Sequence, residues 1–404
     1  MVSPARLCLI CKGGRNLCGN TPCPLLPRII IAPEIRKRIK TELFGPGYNI
    51  FVGRSGYPNV GIGPMVAMDN VPHLDSPGEW FGMEYQNIVK LRSYLIRSKQ
   101  RENIFSRSRL VTESQEIALS SKPPDIELKF KKKPVYHVSF SDIVQPMGPT
   151  APLEKLKVVD NPKIPKIVDK IVSDDLTATQ SSFMLYRSGL DVHKVTSILS
   201  SGALGREKNR KLVPTRWSIT AVDDIIAKEL MRRIRDYPPI NEYMVFESTY
   251  LDNHFVILMM PGNWEFENFE AWAPGSFWSA NLKRPEILEE YEPFHGRTTY
   301  AEEEGGGYYA SRISCCEYLN SINRQARVVV FREVYEGYVI PLGVWVVRET
   351  SRNAYKNRPM KFSTIEEALN YCDSRLRLPL KEYLKKSIIL RQSRLSEWMR
   401  KPSR

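Results

Sequence analysis

Hydrophobic and polar positions along the chain switch between helical and strand periods without a regular β–α–β rhythm. Residues 27–44, PRIIIAPEIRKRIKTELF, carry helical spacing, and Gly45-Pro46-Gly47 supplies a stop. From Tyr48 to Asn70, β-branched and aromatic residues surround Gly53, Gly56, Gly61 and Gly63, which predicts a strand and a turn-rich region. A helical pattern dense in Arg and Lys covers 81–109. Residues 119–134, with Lys131, Lys132 and Lys133 in a row, read as a solvated excursion between sheet segments. After the Pro-rich stretch 149–166, helical periodicity dominates to residue 204. The runs 242–250, 254–260 and 263–272 alternate as half-exposed antiparallel strands do, and 327–334 and 338–349 predict two more. A capped helix is expected over Ser363–Cys372, and a basic amphipathic helix over 381–390. The fold class that follows is α+β: mixed antiparallel sheet segments with helices.

A chain of 404 residues, 42% apolar and 26% charged, is long enough for more than one core. The Pro-rich stretch is the best boundary. It divides two α+β domains, 28–150 and 151–380, flanked by a short module at 1–27 and a tail at 381–404. The longest apolar runs, Phe255–Met260 and Val344–Val347, are strand-sized, so no membrane span is expected. The opening residues MVSPARLCLICKGGRN lack the apolar stretch of a secretory signal, which points to a cytoplasmic protein.

Charge changes the picture by its placement. Residues 1–44 carry eight Lys or Arg against Glu34 and Glu42, and residues 375–404 carry ten against Glu382 and Glu397. These excesses of +6 and +8 account for the whole formal charge of +14, so the body between them is neutral. Basic extremities favour a polyanion by releasing its counterions, which points to nucleic acid. Solubility alone is the plainer explanation of the same charge.

Four of the seven cysteines fall close together, as Cys8-x2-Cys11-x6-Cys18-x4-Cys23. A C-x2-C knuckle places two thiolates on one ion, and four complete a closed tetrahedral site for structural Zn²⁺. Lys12 and Arg15 offset its negative charge. An iron–sulfur cluster uses the same four thiolates, whereas disulfides do not suit a chain without an export signal. Cys315, Cys316 and Cys372 stand apart and read as core thiols.

Near the other end stand Gln392, Leu395, Trp398 and Met399. One helical turn puts Leu395, Trp398 and Met399 on a single apolar face, with Gln392 at its edge. The arrangement resembles a PIP box, the peptide that docks on the sliding clamp PCNA, with Trp-Met where two aromatics are usual. An ordinary terminal helix packing on its own domain has the same spacing.

Three further segments carry candidate chemistry. Arg54 lies in the glycine-rich stretch, which matches neither a P-loop nor a dinucleotide fingerprint. Arg210, Lys211, Arg216 and Trp217 precede Thr220-x-x-Asp223, a capping-box-like start of a helix. Cations at a helix start suit phosphate, and an indole suits a base. Surface cations around an N-cap are the plainer reading. Asp223, Asp224 and Glu302, the last in an acidic run before Gly305-Gly306-Gly307, are weak candidates for holding Mg²⁺ or Mn²⁺ in phosphodiester cleavage.

The four-Cys cluster, FVGRSGYPNVGIGPM, RKLVPTRWSITAVDD, GGGYYASR and QSRLSEWM together resemble the archaeal Nre DNA-repair proteins, over essentially the whole chain. The resemblance implies a DNA-damage role, a four-Cys metal module on Cys8, Cys11, Cys18 and Cys23, and a PCNA-docking tail on Gln392, Leu395, Trp398 and Met399. It supplies no catalytic residues. Three classes of function therefore fit: a DNA-binding repair adaptor, a metal-dependent DNA-processing enzyme, and a nucleotide-binding or nucleotide-processing protein.

Overall fold

The computed structural model describes residues 11, 23, 26–67, 74–137, 147–273, 286–338 and 341–391. The chain forms two compact units, 1–226 with 340–342, and 227–339 with 343–404.

In the first unit, helix α1 (Leu26–Arg38) leads into strands β1 (Glu42–Val52) and β2 (Asn59–Ala67). Helix α2 (Tyr85–Tyr94), β3 (Leu95–Asn103), α3 (Arg109–Leu119), β4 (Asp125–Phe130) and β5 (Thr150–Val158) follow. The strands close into a barrel in the order β1-β2-β3-β5-β4, with β4 returning to β1. All pairs are antiparallel except β3 with β5. A closed five-stranded barrel of this order, with a helix between β3 and β4, follows the plan of the oligonucleotide- and oligosaccharide-binding barrel. Val60, Ile62, Ile96, Ile126, Leu128 and Leu153 fill its interior, and Leu110, Val111 and Ile117 of α3 join that core. Three short helices, α4 (Lys166–Ser173), α5 (Ala178–Arg187) and α6 (Val192–Ser200), precede the long α7 (Thr215–Ile234), within which the two units divide.

Several expectations change here for physical reasons. The helix expected over 27–44 ends at Arg38, and ELFGPG is barrel strand β1, whose ladder shifts register between Gly47 and Asn49. Its Gly and Pro serve a bend, where a helix stop was expected. The helix expected over 81–109 stops at Tyr94, because Ile96 and Ser98 turn inward at strand period. The supposed excursion 119–134 contains β4, with Ile126, Leu128 and Phe130 buried, and the run Lys131–Lys133 that follows it is solvated. The Pro-rich stretch 149–166 holds β5, so it is part of the barrel and not a linker. Helix α7 begins at Thr215, where the Pro214 carbonyl accepts from the N–H groups of Trp217 and Ser218. Thr220 and Asp223 are therefore inside the helix and do not cap it.

The second unit is a six-stranded sheet in the order β11-β6-β7-β10-β8-β9. Its strands are β6 (Tyr243–Tyr250), β7 (Asn253–Met260), β8 (Glu265–Trp272), β9 (Glu286–Glu292), β10 (Arg327–Val334) and β11 (Met360–Phe362). Its helices are α8 (Gly306–Ser321), α9 (Trp345–Ala354), α10 (Ile365–Arg375) and α11 (Leu380–Leu384). Every residue of β7 and β10 is buried, so the sheet is covered on both faces and not half-exposed as its alternation suggested. Ala368, Cys372, Leu380, Tyr383 and Ile389 pack on the core that includes Val256, Leu258 and Phe331. The apolar run 338–349 contributes helix α9, not a strand, since a short buried apolar run fits either form and Pro341 and Gly343 break it. The expected helix 381–390 shrinks to α11. Buried Glu267 accepts from Ser387 Oγ and the Ile388 N–H, both at 2.5 Å, and draws the chain out of helix.

Of the expected four-Cys module, Cys11 is buried and Cys23 half-buried, while Cys8 and Cys18 lie outside the described residues. Among the described residues, no three His, Cys, Asp or Glu side chains are grouped to hold a metal ion. No described helix is long and apolar enough to cross a membrane.

A candidate nucleic-acid interface on the barrel

Strand period places Arg97, Lys99, Arg101 and Asn103 of β3 on the outer side, opposite Ile96 and Ser98. On β2 the outward positions are Asn59, Gly61, Gly63 and Met65. None of these eight named residues is a carboxylate. In register, Arg101 faces Gly61, Arg97 faces Met65, and Phe51 of β1 faces Gly63. Position 63 admits no side chain, since a Cβ there would lie 2.5 Å from the Ser98 carbonyl oxygen. With the space over Gly63 open, Arg97 reaches across β2, and its guanidinium lies 4.9 Å from the centre of the Phe51 ring.

The electrostatics of this row are those of cations lacking an anion. Burial, then the nearby Arg92 and Arg28, bring the Arg97 guanidinium from 12.5 down to about 10. Its Nε is buried without a hydrogen-bond partner among the described residues. Burial, then Arg97 and Arg101, lower the Lys99 ammonium. An arriving anion would relieve both shifts. Arg101 has a second task. Its Nη1 donates to the carbonyls of Ser55 (3.1 Å) and Asn59 (2.5 Å), clasping the loop 53–58 between β1 and β2. Gly56 turns that loop at φ 79°, and a Cβ there would collide with the same Nη1 at 2.1 Å.

The first turn of α7 meets this loop. Thr215 Oγ1 accepts the Val52 N–H at 2.9 Å and lies 3.2 Å from Ser200 Oγ. Thus anchored, Trp217 stands with its ring 5.2 Å from that of Tyr57, and the two remain 45% and 43% exposed. Arg54, exposed in the loop, and Arg216, exposed beside Trp217, share this end of the barrel. Arg210 does not join them. Its guanidinium is engaged with the carbonyls of Gly205 (2.8 Å) and Val172. Lys211 borders a separate cavity of about 150 Å³ with Phe105, Arg107 and Gln115. Sequence reasoning missed Arg97, Lys99, Arg101 and Tyr57. The signal was the spacing of cations by two, which a helical reading of 81–109 conceals.

Asp223 is buried in α7 and Asp224 half-buried beside it, while Glu302 is exposed on a turn of the second unit. Of the acidic run, the buried member is Glu304, which burial and then Glu270 hold well above 4.5 while it accepts from Asn268 Nδ2 at 2.5 Å. Around it Arg332 pairs with Glu270, Arg297 with Glu290 at 2.7 Å, and Arg312 with Glu292. Tyr308 donates to Glu292 at 3.0 Å. These carboxylates are neutralised in pairs beneath α8. Cys315, Cys316 and Cys372 are buried, and burial pushes the Cys315 and Cys372 thiols up to about 12. The tail residues Gln392, Leu395, Trp398 and Met399 lie outside the described residues.

Comparison with known proteins gives this geometry its setting. Residues 17–279 match the family model "Archaeal Nre, N-terminal", and residues 292–400 match "Archaeal Nre, C-terminal". The chain belongs to the archaeal Nre family. This Nre chain is 37% identical over 391 residues to DNA repair protein NreB of Archaeoglobus fulgidus, covering 96% of this chain and 97% of that protein. It is 38% identical to DNA repair protein NreA of the same organism, over 91% of this chain and 93% of that one. With DNA repair protein NreA of Haloferax volcanii the identity is 33%, over 85% of each chain. No solved structure matches it.

Proposed function

We propose that this Nre protein is a cytoplasmic DNA-repair factor that engages DNA through its barrel and docks on PCNA through its carboxyl-terminal tail. Membership of a family of DNA repair proteins supports the repair role. The observation that carries DNA engagement is the row Arg97-Lys99-Arg101, which faces outward with no carboxylate at the outward positions of its own strand or of the neighbouring strand β2. Docking rests on Gln392, Leu395, Trp398 and Met399, whose spacing suits an apolar plug with a polar edge. Tethering makes a weak DNA contact intramolecular and so raises its effective concentration. Cys8, Cys11, Cys18 and Cys23 are assigned to a structural Zn²⁺; four thiolates suit that ion, and a buried Cys11 suits a closed site. For cleavage through Mg²⁺ or Mn²⁺, no grouped ligands occur among the described residues.

Two measurements on the full-length protein test this. Gel filtration with the organism's PCNA gives a joint peak that deletion of 392–404 removes; an unchanged peak overturns the docking assignment. Fluorescence anisotropy with labelled single-stranded and duplex DNA gives saturable, salt-sensitive binding. Absence of binding to every DNA form overturns DNA engagement.

A further inference from the structure

We infer that the outer face of β1–β3, with the ring pair Tyr57–Trp217 at its end, is a binding site for single-stranded DNA, on which bases stack and phosphates meet Arg97 and Lys99. The inference rests on the DNA engagement proposed above and names the form of DNA.

Three features separate a single strand from a duplex. The first is the aromatic pair. Tyr57 and Trp217 come from distant segments, touch at 5.2 Å, and still expose nearly half their surface. Large rings held at a surface by anchored backbone lose little entropy on binding a flat partner. In a duplex the base faces are already stacked inside, so only unpaired bases can use these rings. The second is the shallow trough at Gly61. This outward, half-exposed position without a side chain leaves room for a base or sugar to approach the sheet beside Lys99, whereas Gly63 is buried where Arg97 crosses toward Phe51. The third is the modest number of cations. A duplex binder neutralises many phosphates, roughly six to ten in strongly salt-dependent cases. This face offers Arg97 and Lys99 on β3 and Arg54 and Arg216 at the rings, while Arg101 is committed to its loop. A few cations with a stacking platform suit a short stretch of single strand, since each stacked base adds affinity without further charge.

Arg97 is held in place at the edge of this face, with its planar group over the Phe51 ring.

The test is fluorescence anisotropy of the full-length protein with labelled oligo-dT, the same length of duplex DNA, and oligo-U, each across a salt series. The single DNA strand is expected to bind at least about tenfold more tightly than the duplex. Trp217→Ala should weaken single-strand binding about tenfold with duplex binding unchanged, and Trp217→Phe should restore most of it. Lys99→Gln should make the salt dependence shallower by about 0.7 in slope, the loss of one phosphate contact. Equal affinity for single strand and duplex overturns the inference while leaving DNA engagement standing. So does full single-strand binding by Trp217→Ala, or a preference for oligo-U. Failure to bind any DNA overturns both.

Discussion

Val52 donates its backbone N–H to Thr215 Oγ1 at 2.9 Å, across 163 residues of sequence. The bond joins the end of the first barrel strand to the start of α7, and so brings FVGRSGYP and VPTRW to one place. Val52 is 1% exposed, so its N–H has no access to water if the hydroxyl is lost. Thr215→Val should therefore lower stability by about 1–3 kcal/mol, the cost of a buried unsatisfied donor. Thr215→Ser keeps the oxygen and should recover most of it. Urea denaturation of the three proteins decides the matter, and equal midpoints for Val and Ser would remove the hydroxyl from the account.

Arg312 and Glu292 form an ion pair whose side chains are both fully buried. Removing one partner leaves a charge in low dielectric, so Arg312→Met should cost about 3–5 kcal/mol. Replacing both, as Arg312→Met with Glu292→Met, should cost less than the sum of the single changes. A double-mutant cycle by chemical denaturation measures this, and strict additivity would show that the pair is not coupled.

Burial, and then the neighbouring Glu267 carboxylate, push Glu289 from 4.5 up to about 8. The folded protein thus keeps a proton to about pH 8 that the unfolded chain releases near 4.5. Between those values the folded state binds more protons, so this group makes stability fall as pH rises. Glu289→Gln should flatten that fall and leave the variant the more stable of the two at pH 9. Denaturation midpoints from pH 5 to 9 check it; parallel curves for the two proteins would contradict the assignment.

If four thiolates hold zinc, metal analysis of the purified protein should find about one Zn²⁺ per chain. Cys11→Ser should lose most of it and unfold at lower temperature, since binding to a structural site contributes to folding. Undiminished zinc in Cys11→Ser would exclude Cys11 as a ligand.

The position-63 glycine offers a steric test of the barrel face. A Cβ there would sit 2.5 Å from a backbone carbonyl oxygen, which no side-chain motion relieves. Gly63→Ala should destabilise by about 1–3 kcal/mol, as overpacking does. Gly61→Ala, whose Cβ would meet only Lys99 atoms at 3.5 Å and beyond, should be tolerated. Thermal melts of both variants compare them directly.

The sequence by itself determined the mixed α+β character, the strands at 243–250, 253–260, 265–272 and 327–334, and the capped helix after Thr364. These segments carry strong local signals: β-branched runs of strand length, and a capping box closed by Thr364 and Glu367. It also nominated Arg54, from its glycine-rich stretch, and Arg216 with Trp217, a cation beside an indole, as candidates for binding measurements to judge. Only the tertiary structure decided the barrel. ELFGPG, LIRSKQREN and DIELKF each carry polar residues, Gly or Pro that weaken the strand signal, and each becomes a strand by closing the β1-β2-β3-β5-β4 ring. The gathering of Tyr57 with Trp217, and of Phe51 with Arg97, follows from that closure, since local periodicity holds no information about which distant segments meet. In the same way, burial marked Glu304 as the raised carboxyl of the acidic run 302–304, where the sequence had suggested Glu302.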